Sequence, residues 1–267
     1  MHILDRIVAH KRQEIEYRKA SSPIKELEQS EHFSRSTNSY TEAIRTPQAS
    51  GVIAEFKRKS PSRSNINLDA SLSNVVGGYI KGGASAVSIL TDHSFFGGKD
   101  AYLTQVREAF AQTPFLRKEF IIDEYQVIET KALGADMMLL ICEILSKEEV
   151  RNLSKLARSL GLEVLLELHS DEQLDKVCDT VSMVGVNNRD LTTFEVDYER
   201  SKKLYDRLPE ELTKVAESGL SETDTCAMLY DYGFRGFLIG EQFMKQEDPG
   251  RSCAAFINDF MNKRNQS

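Results

Sequence analysis

The sequence predicts an α/β protein, a (β/α)8 TIM barrel with an N-terminal helical extension. Two observations support this fold: eight short apolar runs recur along the chain, and segments with helical patterns lie between them. The chain has 267 residues, close to the usual length of one such barrel. We therefore expect a single domain over residues 1–267, with the extension at 1–46 and the barrel at 47–267.

The extension before the first apolar run has the spacing of a helix, since Ile3, Leu4, Ile7 and Ile15 recur on one face. It either covers one end of the barrel or helps to close the functional site. The pattern is compatible with both roles.

The eight apolar runs are expected to form the strands. They are continuously apolar, as is typical of strands that are buried on both faces of a parallel sheet. Eight parallel strands joined by helical crossovers close naturally into a barrel. In chain order the runs lie at 52–54, 86–90, 114–116, 137–141, 164–166, 183–186, 213–216 and 236–239.

The segments between the runs carry helix signals. Ser146 with Glu149 forms a capping box ahead of an apolar stripe, and we expect a second box at Ser170 and Gln173. An open doubly wound sheet is the alternative fold, but no glycine-rich fingerprint follows the first run. The glycines placed to end helices just before the next strand are Gly83, Gly134, Gly161 and Gly233.

The composition disfavours several classes of protein. Hydrophobic residues make up 40% of the chain, enough for a sizeable core, and the net charge of −7 disfavours binding to nucleic acid. The first residues are charged, unlike a signal peptide, and the longest apolar run, 137–142, is too short to span a membrane. The four cysteines form no C-x-x-C pair, so we expect reduced thiols, no metal site and a cytoplasmic protein.

Polar side chains stand at the carboxyl ends of the predicted strands, where barrel enzymes bind their substrates. Glu55 and Lys57 are two residues apart, so both point into the mouth of the barrel. At the third strand, either Arg117 or Lys118 points inward. Charges beside buried strands are costly unless they are paired or functional, so mutual neutralisation at the rim is the alternative explanation. The other polar or glycine residues at these ends include Glu167, His169, Asn187, Arg189, Glu217, Ser218, Gly219, Gly240 and Glu241.

Two features concern the ligand. Ser218, Gly219 and Gly240 follow the seventh and eighth runs, where barrels commonly bind phosphate through backbone amides, so a phosphorylated small molecule is expected. Residues 95–98, Phe-Phe-Gly-Gly, form either a simple turn or a hydrophobic wall for an aromatic substrate, and we favour the wall. We expect His169 to be a capping or hydrogen-bonding residue rather than a catalyst.

Together these motifs resemble the indole-3-glycerol phosphate synthase family of tryptophan biosynthesis over essentially the whole chain. The most specific are 53–62, IAEFKRKSPS, and 185–191, GVNNRDL. The others lie at 90–92 with 95–98, 118–121, 165–169 and 216–219. The resemblance implies a carboxy-lyase that converts 1-(2-carboxyphenylamino)-1-deoxyribulose 5-phosphate to indole-3-glycerol phosphate, CO2 and water. It implies no cofactor or metal and, since the chain stops near Ser267, the monofunctional form.

The resemblance also implies roles for individual residues. Lys118 is similar to the general acid that protonates the ketone during ring closure. Glu55 and Glu167 resemble paired carboxylates that transfer protons, and Lys57 resembles a lysine that assists dehydration. The candidate catalytic residues are Glu55, Lys57, Lys118, Glu167 and Asn187. The candidate substrate-binding residues are Ser60, Phe96, Phe120, Leu139, Arg189, Ser218, Gly219, Gly240 and Glu241.

Two positions depart from the family pattern: Glu119 stands where aspartate is frequent, and Glu241 where serine is frequent. We expect the Glu241 side chain to point away from the phosphate. We further expect a mobile loop at 60–67 over the site and a monomer or weak homodimer.

Two alternative functions are an aldose–ketose isomerase acting on a related sugar phosphate and a non-catalytic ligand binder. Two lysines at the first and third strands argue against the isomerase, which needs a single acid–base pair. The presence of both Lys118 and Glu167 argues against the binder.

Overall fold

The computed structural model describes residues 3–59, 65–189 and 195–266. Eight parallel strands form a closed barrel in sequence order, and β8 pairs with β1. All eight apolar runs lie on these strands, so the barrel prediction is confirmed. The strands are β1 Val52–Phe56, β2 Ala86–Leu90, β3 Phe115–Lys118, β4 Met137–Ile141, β5 Glu163–Leu168, β6 Met183–Asn187, β7 Thr213–Glu217 and β8 Gly236–Ile239.

Helices surround the barrel and precede it. None of them, within the part of the chain that is described, is long and apolar enough to cross a membrane. The helices are α1 Ile3–Ser21, α2 Ile24–Leu27, α3 Tyr40–Ala43, α4 Leu72–Lys81, α5 His93–Phe96, α6 Ala101–Ala109, α7 Glu124–Ala132, α8 Lys147–Ser159, α9 Tyr198–Tyr205, α10 Thr223–Tyr232, α11 Glu241–Met244 and α12 Pro249–Arg264, with 3₁₀ turns at Cys142–Ile144 and Asp171–Lys176.

The helix ends follow the local signals in all but one case. The capping box at Ser146 is confirmed, because its Oγ accepts from the Glu149 amide at 3.2 Å and its own amide donates to the Glu149 carboxylate at 2.7 Å. The four glycines expected to end helices all have a positive φ, between 76° and 130°.

The second predicted capping box is wrong. Ser170 makes no side-chain capping hydrogen bond, and the segment after it is a 3₁₀ turn. The reason is that the Gln173 side chain has other partners. Its carbonyl accepts from the His169 amide at 2.7 Å, and its amide donates to Glu143 at 2.5 Å.

The core has two parts, because strand residues alternate between the two faces of the barrel wall. One cluster packs between strands and helices, and the second fills the interior of the barrel. On β1, Ile53 belongs to the interior cluster, so Glu55 and Lys57 continue the same inward face towards the carboxyl end. Each buried aliphatic side chain contributes about 1.5–3 kcal/mol relative to exposure.

The N-terminal extension covers both ends of the barrel. At the carboxyl ends of the strands, Ile3, Leu4 and Ile7 of α1 line the central pocket. At the opposite end, Tyr40 is fully buried in the interior cluster and its hydroxyl donates to the Gly51 carbonyl at 2.8 Å. The two roles left open by the sequence therefore both apply, each to a different part of the extension.

Candidate active site

A pocket of about 640 Å³ opens at the carboxyl ends of the strands. Of the fourteen predicted site residues, only Ser60 lies outside the described part of the chain, as does most of the loop expected at 60–67. The other thirteen all border this pocket: Glu55, Lys57, Phe96, Lys118, Phe120, Leu139, Glu167, Asn187, Arg189, Ser218, Gly219, Gly240 and Glu241.

Lys118 occupies the centre of the polar part of the pocket. Its Nζ lies 2.9 Å from Glu217 Oε2 and 3.5 Å from Glu167 Oε2. Burial lowers the pKa of this lysine, but the carboxylates of Glu217, Glu167 and Glu55 raise it more, so the net pKa is above the ordinary value. Lys118 is thus the inward residue of β3, whereas Arg117 points outward to Asp100 and Glu129.

Glu217 is a site residue that the list from the sequence omitted. It is 1% exposed, and its Oε1 has no hydrogen-bond partner among the described residues. Burial raises its pKa to about 7; Glu167 and Glu55 act in the same direction, and Lys118 opposes them. An inward position two residues after the buried Val215 was the available signal.

The side chain of Glu217 fits because its neighbour on β6 is glycine. A Cβ added to Gly185 would lie 1.9 Å from Glu217 Oε1. Gly240 plays the same part for Glu55, whose Cβ would be 2.9 Å from an added methyl group. Two glycines therefore make room for two buried carboxylates.

Glu55 and Lys57 form the second pair of charges, with Nζ 2.9 Å from Oε1. Burial raises the pKa of Glu55, but the charges of Lys57 and Lys118 lower it by more than burial raises it. The Ser88 hydroxyl adds a hydrogen bond at 3.4 Å, which also lowers the pKa. The net pKa lies below the ordinary value, so Glu55 is a carboxylate at neutral pH.

Glu167 is surrounded by groups that stabilise its charge. Asn187 donates to Oε1 at 2.9 Å, His169 Nε2 lies 3.1 Å from the same oxygen, and Lys118 is at 3.5 Å from the other oxygen. Burial raises the pKa of Glu167, but Lys118 and His169 outweigh it and hold the pKa well below its usual range. Asn187 also accepts from the Arg189 amide at 3.0 Å, which fixes the start of the following loop.

His169 also borders the pocket. Neither ring nitrogen has an aligned hydrogen bond to another described residue, although Nε2 is close to Glu167. Burial lowers the pKa of His169, and the contact with Glu167 raises it above its ordinary value. Its position beside a carboxylate goes beyond the capping role expected from the sequence.

An aromatic wall, made by Phe96 and Phe120 with Phe95 packed against Phe120, forms part of the apolar lining of the pocket. The ring centroids of Phe96 and Phe120 are 5.7 Å apart, and Phe95 meets Phe120 edge-on at 6.4 Å. The side chain of Asp92 caps α5 by accepting from the Phe95 amide at 2.6 Å and the Phe96 amide at 3.2 Å. The helical turn α5 is thus capped by Asp92 at its start and ends at Gly97, and Phe96 in its last position borders the pocket.

The loops after β7 and β8 form a concave backbone surface. Ser218 and Gly219 both have left-handed conformations, with φ of 68° and 72°, which direct successive amides to one side. Their carbonyl groups accept from Asn188 at 2.8 Å and from Tyr198 at 2.7 Å. Gly240 then precedes α11, whose first amides have no partner within the helix. Such a surface suits an anionic group such as phosphate.

Potential metal ligands within the described residues lie elsewhere. Glu31, His32 and Glu108 place one ligand atom each within 4.8 Å of one another, but both glutamates are exposed and none of the three borders the pocket. The ionisable groups that border the pocket include ammonium, guanidinium, carboxylate and imidazole groups.

Comparisons with known proteins identify the family of the chain. Residues 4–256 match the family model described as indole-3-glycerol phosphate synthase. A relative with that name from Bacteroides thetaiotaomicron is 43% identical over 96% of this chain and 97% of its own. Another from Salinibacter ruber is 40% identical over 95% and 94%. The solved structure of tryptophan synthase subunit alpha from Legionella pneumophila, at 14% identity, TM-score 0.63 and coverage of 87% and 100%, shares the fold alone. The chain belongs to the indole-3-glycerol phosphate synthase family, and its activity is the formation of indole-3-glycerol phosphate in tryptophan biosynthesis.

Proposed function

We propose that the pocket closes the indole ring of 1-(2-carboxyphenylamino)-1-deoxyribulose 5-phosphate with Lys118 as the general acid. The observation that carries this assignment is that the Lys118 ammonium shares one pocket with the aromatic wall and with the backbone surface after β7 and β8. The carboxyphenyl ring would lie on Phe96 and Phe120, with Leu139 beneath it. The phosphate would bind at Ser218, Gly219, Gly240 and the amide of Glu241.

Ring closure requires a proton on the ketone oxygen while the aromatic carbon attacks the ketone. A lysine held as an ammonium and aimed at that oxygen can supply it. When Lys118 gives up its proton, the charge that keeps Glu167 acidic is lost, so Glu167 becomes a stronger base. Acid and base are thereby linked: the first proton transfer prepares the second.

Decarboxylation and dehydration follow from the remaining groups. The apolar wall favours conversion of the substrate carboxylate into neutral CO2, because a charge is costly there. The hydroxyl then leaves as water, which needs a second acid and a base. Lys57, which is paired with Glu55, would be that acid, and Glu167 would be that base. Asn187 and Arg189 would orient the substrate.

The overall reaction takes up one proton from solvent per turnover, because a carboxylate leaves as uncharged CO2. A group that is half-protonated near neutral pH is suited to hold that proton. Glu217, with a pKa of about 7 and 2.9 Å from Lys118, meets this requirement. Glu217 would return a proton to Lys118 after ring closure.

The setting of the enzyme is also part of the proposal. We expect a phosphorylated small molecule as the substrate, no binding to nucleic acid or membrane, and a monomer or weak homodimer in the cytoplasm. The net charge of −7 supports the lack of affinity for nucleic acid. Size-exclusion chromatography with light scattering tests the oligomeric state.

The test is the fluorescence of the indole product on mixing the protein with the carboxyphenylamino sugar phosphate, in chelator. Lys118→Ala should lower turnover at least about a hundredfold. Lys19→Ala is the matched control, since Lys19 pairs with Asp123 at 2.8 Å outside the pocket and its loss should leave turnover unchanged. Near-normal turnover of Lys118→Ala would refute the assignment. Tight substrate binding without any product would refute ring closure and favour a binder.

A further inference from the structure

A buried lysine of α1, outside the catalytic cluster, connects the extension to the barrel. Lys11 is 1% exposed. Its Nζ lies 2.8 Å from Glu14 of the same helix, 2.9 Å from Asp92 after β2 and 3.0 Å from Glu119 after β3. A fully buried ammonium is costly unless it is paired, so these contacts are the condition for its presence.

The two barrel carboxylates that Lys11 binds also hold the backbone of the aromatic wall. Asp92 contacts Lys11 through Oδ2 and caps α5 through Oδ1, where it accepts from the amides of Phe95 and Phe96. Glu119 Oε1 accepts from the Phe120 amide at 2.8 Å. One ammonium therefore links both segments that carry the rings.

We propose that Lys11 is a positioning residue for the aromatic ring of the substrate, acting through Asp92 and Glu119 on Phe96 and Phe120. This inference rests on the proposed function, since it assigns the wall to the ring. Glu119, which stands where the family frequently has aspartate, takes part in the same contact. With its longer side chain, Glu119 spans from the Lys11 ammonium to the Phe120 amide and the Thr91 hydroxyl, the latter at 2.8 Å.

The contact is permanent rather than a switch. Burial lowers the pKa of Lys11, but Glu119 and Asp92 raise it more, and the net pKa lies above that of an ordinary lysine. Lys11 therefore keeps its charge throughout the pH range in which the enzyme works. Its role is to fix the distance between α5 and the end of β3.

A second, half-buried group of ion pairs on α1 separates this role from simple anchoring of the helix. Arg18 binds Glu14 at 2.5 Å, Asp100 at 2.6 Å and Glu129 at 2.8 Å, and it borders neither the pocket nor the wall. Loss of Arg18 should loosen the attachment of α1 to the barrel to a similar extent as loss of Lys11. It should not change the spacing of Phe96 and Phe120.

The experiment compares two ligands, one with a ring and one without. The protein is titrated with indole-3-glycerol phosphate and with glycerol 3-phosphate, by calorimetry. Lys11→Met should weaken binding of the indole compound about five- to tenfold, the size of one aromatic contact, and leave glycerol 3-phosphate unchanged. Arg18→Met should not change the ratio of the two affinities. Equal weakening of both ligands by Lys11→Met, or the same ratio change in Arg18→Met, would overturn the proposal.

A second variant covers loss of folding. Lys11→Met leaves Asp92 and Glu119 buried without their shared counter-charge, whereas Lys11→Met/Glu119→Gln removes the Glu119 charge as well and keeps an oxygen for the Phe120 amide. This double variant should recover part of the lost thermal stability and still bind the indole compound weakly. Normal indole binding in the stable double variant would refute the proposal. Because the readout is binding, a failure of the Lys118 assignment in turnover would not affect it.

Discussion

Replacing Glu217 with glutamine should make the protein more stable at alkaline pH while it impairs catalysis. Glu217 is buried, one of its oxygens has no hydrogen-bond partner among the described residues, and burial raises its pKa to about 7. The ionised side chain is therefore less favourable in the folded protein than in water. Glutamine has nearly the same shape and carries no charge.

The sign and size of the effect follow from the two pKa values. Between the ordinary value of 4.5 and the folded value of about 7, the folded state keeps the proton that the unfolded state has lost. The free energy of unfolding of the native protein must then fall as pH rises through this interval, and it levels off above pH 7. The difference corresponds to about 3 kcal/mol. Glu217→Gln lacks this titration, so its stability should not show the fall.

Urea denaturation between pH 4.5 and 8.5 measures the difference, followed at the first transition that leaves the native state. The stability advantage of Glu217→Gln over the native protein should grow by about 2.5 kcal/mol from pH 5 to pH 8. His169 titrates in the same range and faces Glu217, so the comparison is repeated in the His169→Asn background. Parallel stability curves for the two proteins in both backgrounds would refute the argument.

Two further outcomes test the geometry of the pocket. Gly185→Ala should lower turnover about a hundredfold with the fold retained in circular dichroism, because the added methyl group must displace Glu217 by more than 1 Å from Lys118. Substitution by serine should be no better, and full activity of either variant would contradict the packing argument. His169→Asn should remove a stability contribution that is fully present below pH 6.5 and lost as pH rises through the higher folded pKa, since the contact with Glu167 raises that pKa. Unfolding midpoints of variant and native protein that change in parallel with pH would exclude this linkage.

The barrel was predictable because its signals are local. A strand that is buried on both faces is predominantly apolar, and the eight runs, of three to five residues each, meet this condition with Ser88, Thr213 and Lys214 as polar exceptions. The position of the pocket then follows from the architecture, since side chains at the carboxyl ends of parallel strands converge. Glu55 and Glu167 could therefore be placed in one site before any distance was known, together with either Arg117 or Lys118, and the family resemblance selected Lys118.

The contacts that were missed are formed by residues far apart in sequence. Lys11 lies between Ile7 and Ile15 on the apolar face of α1, which indicates that it is buried, but nothing near it in the sequence indicates which carboxylates pair with it. Its partners Asp92 and Glu119 are 81 and 108 positions away. The failed capping box at Ser170 has a similar cause, because Gln173 is engaged by Glu143, 30 residues earlier. A local signal such as a capping box does not form where residues distant in sequence bind the same side chain.

The charges of the pocket explain why one of its carboxylates must be easy to protonate. Glu55, Glu167 and Glu217 face Lys57 and Lys118, so with His169 neutral the ionised cluster would already carry one excess negative charge. The substrate adds a carboxylate and a phosphate to this space. Each added negative charge raises the pKa of nearby acids, and the acid nearest to neutrality responds first. Glu217 is that acid, so substrate binding itself should draw in the proton that the loss of CO2 later consumes.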